Sequence, residues 1–294
     1  TDDGGTALHT YDLIDGTFGP AVYADPDYDL GGAQLVLSED GSELLGLSYQ
    51  KVRRHSVWFD EQLKNIHEKL TGALTGFDVV LSSRSRDGNR LIFVAVSSTE
   101  PGQYFLADLK ANTIQHLAAS SPWLEGKPLS PAASFNFKAR DGLKLQAYLT
   151  LPTNPEAKKP YPMMVLGHGG PWARDLWRFN AEAQFLASRG IAVLQPNYRG
   201  STGFSYDITL KDRFDFRKMH DDVTDAVKTL IRGGIADPDR VGIMGASIGV
   251  PSPTWGCSIG KCSSLIHVGN PIFATIGWWK MWATIQPPWS GILP

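Results

Sequence analysis

Through about residue 129 the apolar positions come in short runs separated by turn residues. Residues 33–37 (AQLVL) lead into Glu39-Asp40-Gly41-Ser42 and then into residues 44–49 (LLGLSY). The phrase returns as residues 79–81, the turn Arg86-Asp87-Gly88-Asn89, and residues 91–96. Asp-Gly supplies the positive φ that tight hairpin turns require, so each copy predicts an antiparallel strand pair. Residues 103–108 and 113–117, joined by Lys110-Ala111-Asn112, predict another. Between the copies, residues 58–74 set Phe59, Leu63, Ile66 and Leu70 at helical spacing, which predicts an inserted or interblade helix. Asp40 and Asp87 lie 47 residues apart, close to the length of one propeller blade. Two readings fit this pattern: two to three blades of an incomplete β-propeller, or a plain antiparallel region with accidental spacing.

After a boundary marked by Pro122, Pro128 and Pro131, the pattern changes. Residues 135–138 and 143–151 form a hairpin around Asp141-Gly142, and residues 163–166 are a short buried strand. Residues 180–189 predict an amphipathic helix stopped by Gly190, and residues 191–195 the next strand. Residues 219–231 follow as a helix with Val223, Ala226, Val227 and Leu230 on one face, then residues 241–244 as a strand running into Gly245. This alternation predicts an α/β fold with a mostly parallel sheet and helices on both faces. The domain reading is therefore 1–129 as partial propeller, 130–250 as α/β domain and 251–294 as an atypical tail.

Composition narrows the picture. A net charge of −2 over 294 residues leaves no basic footprint for nucleic acid. The apolar stretch 272–285 is broken by Lys280 and falls short of the ~20 residues a membrane span needs. Cys257 and Cys262 make no disulfide framework, and with His267 their spacing fits no usual zinc pattern, so no metal is expected. The first residue is Thr1, with no signal pattern behind it. The start reads as processed or cut, and the compartment and oligomeric state stay open.

The chemistry centres on Gly245-Ala246-Ser247-Ile248-Gly249, a G-x-S-x-G directly after a buried strand. Such a turn exposes a nucleophilic Ser at the sheet's C-terminal edge, and the glycines let neighbouring backbone pass close by. The N–H of Ile248 would then face the oxyanion formed when Ser247 attacks a carbonyl. Upstream, Gly167-His168-Gly169-Gly170-Pro171 follows the strand at 163–166, where this architecture supplies its second oxyanion donor. His220-Asp221-Asp222 lies on a helix, where a solvated or capping role is expected. Phe214, Phe216, Trp172 and Trp177 are expected in the core or a pocket wall.

Residues 135–249 resemble the α/β-hydrolase catalytic domain of the prolyl oligopeptidase family, especially its acylaminoacyl-peptidase and dipeptidyl-peptidase branches. The matching phrases are HGGPWARDLWRFN at 168–180, FLASRGIAVLQPNYRGSTGFS at 185–205, KMHDDVTDAVKTLI at 218–231 and GIADPDRVGIMGAS at 234–247. The resemblance implies a serine peptidase acting on short peptides without cofactor, behind a propeller that restricts entry. It implies Ser247 as nucleophile and the N–H groups of Gly170 and Ile248 as oxyanion hole. His168, Gly169 and Tyr198 would line the pocket, with 197–200 a structural loop framing it. A carboxylesterase shares the nucleophile turn and the oxyanion loop and is the alternative enzyme reading.

The chain departs from that pattern after Ser247. The family's G-x-S-Y-G-G-Y is replaced by GASIGVP at 245–251, and Pro253 follows. The fold orders its triad as Ser, then acid, then His. Here the last acidic residue is Asp239, and His267 is the one later histidine. Residues 251–294 hold five of nine Trp and only two charged residues, Lys261 and Lys280. A frameshifted or foreign segment from about Ile248 or Val250, or a divergent tail, would account for this. The expectation is a fragment truncated at both ends, inactive or non-catalytic as it stands.

Overall fold

Short antiparallel strands organise residues 6–119 of the computed structural model, which describes residues 6–170, 172–245 and 264–267. Tyr206, Asp207 and residues 264–267 are described by backbone alone. Strands β1 (Ala7–Asp12) and β2 (Thr17–Ala24) form a hairpin. Strands β3 (Gln34–Leu37), β4 (Leu44–Gln50) and β5 (Arg54–Trp58) form a three-stranded antiparallel sheet. Strands β6 (Asp78–Arg84), β7 (Arg90–Val96), β8 (Gln103–Asp108) and β9 (Thr113–Ala119) form a four-stranded meander.

The repeated Asp-Gly turns are chemically identical. Gly41 and Gly88 take φ of 73° and 69°. Ser38 and Ser85 each donate to the following Asp carboxylate at 2.7 Å. The same two hydroxyls each accept the N–H of the residue five positions on, Glu43 and Arg90, at 2.9 Å. The recurrence in sequence is thus a recurrence of one turn structure.

Helix α1 (Glu61–Ala73) starts at Asp60, whose side chain accepts from the N–H of Leu63. It buries Leu63 and Leu70 in the core of the meander, against Leu91 and Phe93. Phe59, which the periodicity placed on that face, precedes the helix and stands 44% exposed. Strands β1, β2 and β5 had no signal, because their exposed or mixed residues show no clean alternation.

The second region is one sheet. Its strands are β10 (Ala132–Lys138), β11 (Lys144–Thr150), β12 (Tyr161–Gly167), β13 (Ala192–Asn197), β14 (Ala236–Gly245) and β15 (Ser264–His267). They lie in the order β10-β11-β13-β12-β14-β15. Pairing is antiparallel at β10–β11 and β11–β13 and parallel from β13 through β15. Nothing in the sequence pattern singled out β15, whose His267 is in register with Gly245.

Helices α2 (Ala181–Ser188) and α4 (Phe216–Arg232) cover the two faces, with a short α3 (Tyr206–Thr209) between them. Successive residues of a strand point to opposite faces, and the core divides accordingly. Met163, Val165, Ala192 and Leu194 pack with Met219, Val223, Ala226, Val227 and Leu230 of α4. Met164, Leu166 and Val193 pack with Ala183 and Leu186 of α2. Each fully buried aliphatic side chain here contributes about 1.5–3 kcal/mol. The α2 start is fixed by Asn180, which accepts from Ala183 N–H at 2.8 Å, and its stop by Gly190 at φ 82°.

Candidate active site

Strand β12 has β13 on one side and β14 on the other, so the crossovers through α2 and α4 diverge from it. Such divergence leaves a crevice beyond the carboxyl end of the strand. Gly167 closes β12 in register with Gly245, which closes β14. The glycine-rich loop at 168–170 therefore leaves the sheet beside the end of β14.

The segment 168–180 has no regular structure and is held from several directions. The hydroxyl of Tyr198 donates to the carbonyl of His168 at 2.5 Å, and the two rings stack at 4.3 Å. Asp175 N–H donates to Asn197 Oδ1 at 2.7 Å, and Asn197 Nδ2 returns a bond to the Asp175 carbonyl. Arg174 donates to the carbonyls of Gln50, Lys51 and Gly203 and lies over Phe204, 3.9 Å from the ring centre. The β4–β5 turn thereby braces the segment 168–180, helped by Tyr148, which donates to Val52 O at 2.6 Å. Gly170 sits at φ 128°, and a Cβ there would fall 2.6 Å from the N of Trp172, so only glycine fits.

His168 is neutral. Burial, opposed only in part by its bond to Gly169, pushes its pKa down to about 4. The carbonyl of Gly169, 2.8 Å from Nδ1, can only accept, which fixes the proton on Nδ1. That leaves Nε2 facing the Ser201 hydroxyl at 2.9 Å. A ring so engaged is unsuited to act as the general base at neutral pH.

Asp175 carries the opposite perturbation. Gln195 donates to its Oδ1 at 2.9 Å, whereas its Oδ2 is out of solvent with no hydrogen-bond partner among the described residues. Burial raises its pKa to about 6, above the ordinary 3.8. A carboxyl whose pKa is raised on folding loses stability as pH climbs from the unfolded value through the folded one. Asp175→Asn is therefore expected to raise stability by up to about 3 kcal/mol at pH 7 and by nothing below pH 4. Thermal melts at pH 3.5 and 7 check this, and an unchanged or lowered Tm at pH 7 counts against it.

Arg199 anchors the loop at 197–200. It is 3% exposed and meets the fully buried Asp222 through Nε at 2.8 Å and Nη2 at 2.7 Å. The bond to Asp222 raises its pKa above the usual guanidinium range. Asp222 is therefore not solvated or capping as its sequence context suggested. It sits on the apolar stripe of α4, one turn from Met219 and Ala226, and that spacing was the available signal.

The structure places His168 and Gly169 near Gly245 at the sheet edge, with Tyr198 stacked on His168 and Gly170 next in the loop. Ser247 and Ile248 lie outside the described residues, as do Cys257 and Cys262. Arg174, Asp175 and Ser201 escaped sequence reasoning because their partners are distant in the chain. Trp172, Phe214 and Phe216, expected in the core or a pocket wall, are not core, being 58%, 57% and 50% exposed, and Phe214 and Phe216 line an open surface hollow with Asp212 and Arg213. Phe214 meets Trp172 edge to face at 5.8 Å with Arg213 over both rings, so these side chains shelter mainly each other.

Comparison with known proteins follows the same outline. The model of the prolyl oligopeptidase family matches residues 177–251. Dipeptidyl aminopeptidase BIII of Pseudoxanthomonas mexicana is 36% identical over 235 residues, covering 78% of this chain and 34% of that protein. The chain belongs to the prolyl oligopeptidase family. Another relative is the acylamino-acid-releasing enzyme of Rattus norvegicus, 38% identical over 110 residues, 36% of this chain and 15% of that one. A puromycin-hydrolysing peptidase of Mycobacterium tuberculosis has the same fold, with a TM-score of 0.63 at 24% identity over 84% of this chain and 38% of that structure. The chain thus spans about a third of the length of its dipeptidyl aminopeptidase relative. The prolyl oligopeptidase family match runs from the end of the loop at 168–180 through α2, β13, α4 and β14.

Proposed function

We propose that this chain carries the nucleophile half of a serine peptidase site acting on peptide or acyl-peptide bonds of short peptides. Ser247 attacks the scissile carbonyl, and the C–N bond breaks to leave an acyl-enzyme that water hydrolyses. The N–H groups of Gly170 and Ile248 hold the oxyanion, while His168, Gly169 and Tyr198 shape the pocket. Residues 130–250 form the catalytic part, residues 1–129 form blades of a propeller that restrict entry, and residues 251–294 are an atypical tail that adds β15 to the edge of the sheet. No cofactor takes part. The observation that carries this reading is the pairing of Gly167 with Gly245, which aligns the oxyanion loop with the start of the nucleophile turn.

Acyl transfer needs a base to take the serine proton, and His168 is committed elsewhere. The 294-residue polypeptide is accordingly expected to turn over aminoacyl-nitroanilides barely above background. A fluorophosphonate probe tests the nucleophile directly, with peptide mapping by mass spectrometry. The adduct is expected on Ser247, and reproducible modification of a different serine instead would refute the assignment.

A further inference from the structure

Gly169 and Gly170 are joined by a trans peptide, so the carbonyl of Gly169 and the N–H of Gly170 point in opposite directions. Whatever fixes that carbonyl also aims that N–H. A peptide flanked by two glycines meets little steric resistance to turning over, so its direction depends on an outside hold. His168 supplies one, with Nδ1 at 2.8 Å from the Gly169 carbonyl.

The imidazole is itself held on its face and on both edges. Tyr198 stacks on the face, with the ring centres 4.3 Å apart and the planes at 10°. The Gly169 carbonyl takes one edge, and the hydroxyl of Ser201 lies 2.9 Å from Nε2 on the other. Ser201 is 0% exposed. Its hydroxyl has one proton and two acceptors, because the Tyr198 carbonyl is 2.6 Å away. The backbone N–H of Ser201 already donates to that same carbonyl at 3.0 Å. Giving the hydroxyl proton to Nε2 therefore leaves neither acceptor bare, whereas giving it to Tyr198 strands a ring nitrogen. An imidazolium would satisfy every contact, but burial pushes the pKa down to about 4, and Arg174 adds repulsion.

We infer that Ser201 is a positioning residue for the Gly170 N–H, acting through His168. Its hydroxyl donates to Nε2, which confines the proton of the neutral ring to Nδ1. Nδ1 holds the Gly169 carbonyl, and the Gly170 N–H is thereby kept facing the opposite way. The inference rests on the reading of that N–H as an oxyanion donor, which gives its direction a chemical use.

The test is NMR of the isotope-labelled 294-residue chain at pH 7, reading the ring nitrogens of His168 and the amide of Gly170. In the parent chain Nδ1 is expected to carry the proton. Nε2 is expected to show the upfield shift of a nitrogen that accepts a hydrogen bond. Ser201→Ala is expected to lose that shift and to broaden or double the Gly170 amide signal. Ser201→Cys, a weaker donor, is expected to fall between the two. Thr209→Val is the control, because Thr209 Oγ1 donates to the carbonyls of Ser201 and Phe204 in the same loop. It is expected to destabilise that loop and leave the His168 signals unchanged. A parent ring protonated on Nε2 overturns the inference, even where Ser201→Ala does not fold. So does a Ser201→Ala form with the parent's Nε2 and Gly170 signals. Failed labelling of Ser247 would sink the peptidase reading and leave the bonds from Ser201 through His168 to Gly169 standing.

Discussion

In a chimera joining residues 1–249 to the C-terminal part of the Pseudoxanthomonas mexicana dipeptidyl aminopeptidase, Ser247→Ala is expected to lower kcat by about 10⁶-fold. The size of the effect follows from how the serine site works. A hydroxyl is a weak nucleophile, and the base, its orienting acid and the nucleophile act as one unit. Removing the nucleophile forfeits nearly all that the unit supplies and leaves only the oxyanion donors and substrate binding. The chimera provides the acid that the sequence lacks after Ser247, where Asp239 is already the last acidic residue, and the relative's own histidine in place of His267. Turnover of an aminoacyl-nitroanilide by the chimera, its Ser247→Ala form and the 294-residue chain separates the possibilities. Robust turnover by the 294-residue chain, lost on Ser247→Ala, would reveal a base within it. A chimera that remains active as Ser247→Ala would place the nucleophile elsewhere.

Much of this arrangement was legible from local pattern. Strand-helix alternation located β10 through β14 to within a few residues, because each element carries its own periodicity and stop signals. The Asp-Gly turns were legible for the same reason: Asp40 and Asp87 make their bonds within five residues of themselves. The loop at 168–170 was legible as the segment following β12 because motif and chain order coincide. What sequence did not show are contacts closed by folding. Arg174 reaches carbonyls more than a hundred residues upstream, and Gln184 bridges Ser98 O at 3.0 Å and Ser130 O at 2.7 Å. No spacing rule links such pairs. The exposed aromatics around Trp172 misled because apolar residues imply a core only when a neighbouring element covers them.

The loop that supports His168 depends on one buried ion pair, and Asp222→Ala is expected to lower folding stability by about 3–5 kcal/mol. Asp222 is 0% exposed and accepts three bonds from Arg199, one from the backbone N–H and two from the guanidinium. Truncating it strands a cation that is itself 3% exposed. Asp141, at 2.8 Å, and Asp212, at 3.5 Å, also face Arg199, but their side chains are 43% and 30% exposed and so screened by water. They moderate the loss without replacing the bidentate geometry. Asp225→Ala on the same helix is the control. Asp225, 13% exposed, also accepts three bonds from Arg140, but that guanidinium is 48% exposed and pairs with Asp221 as well, so its truncation strands no buried cation. Urea unfolding should show a lower midpoint for Asp222→Ala at unchanged slope, with a smaller drop for Asp225→Ala. Equal losses in the two variants would mean that Arg199 is held by its surroundings rather than by Asp222. Because Tyr198 precedes Arg199 and donates to the His168 carbonyl, the same substitution should also loosen the loop at 168–170.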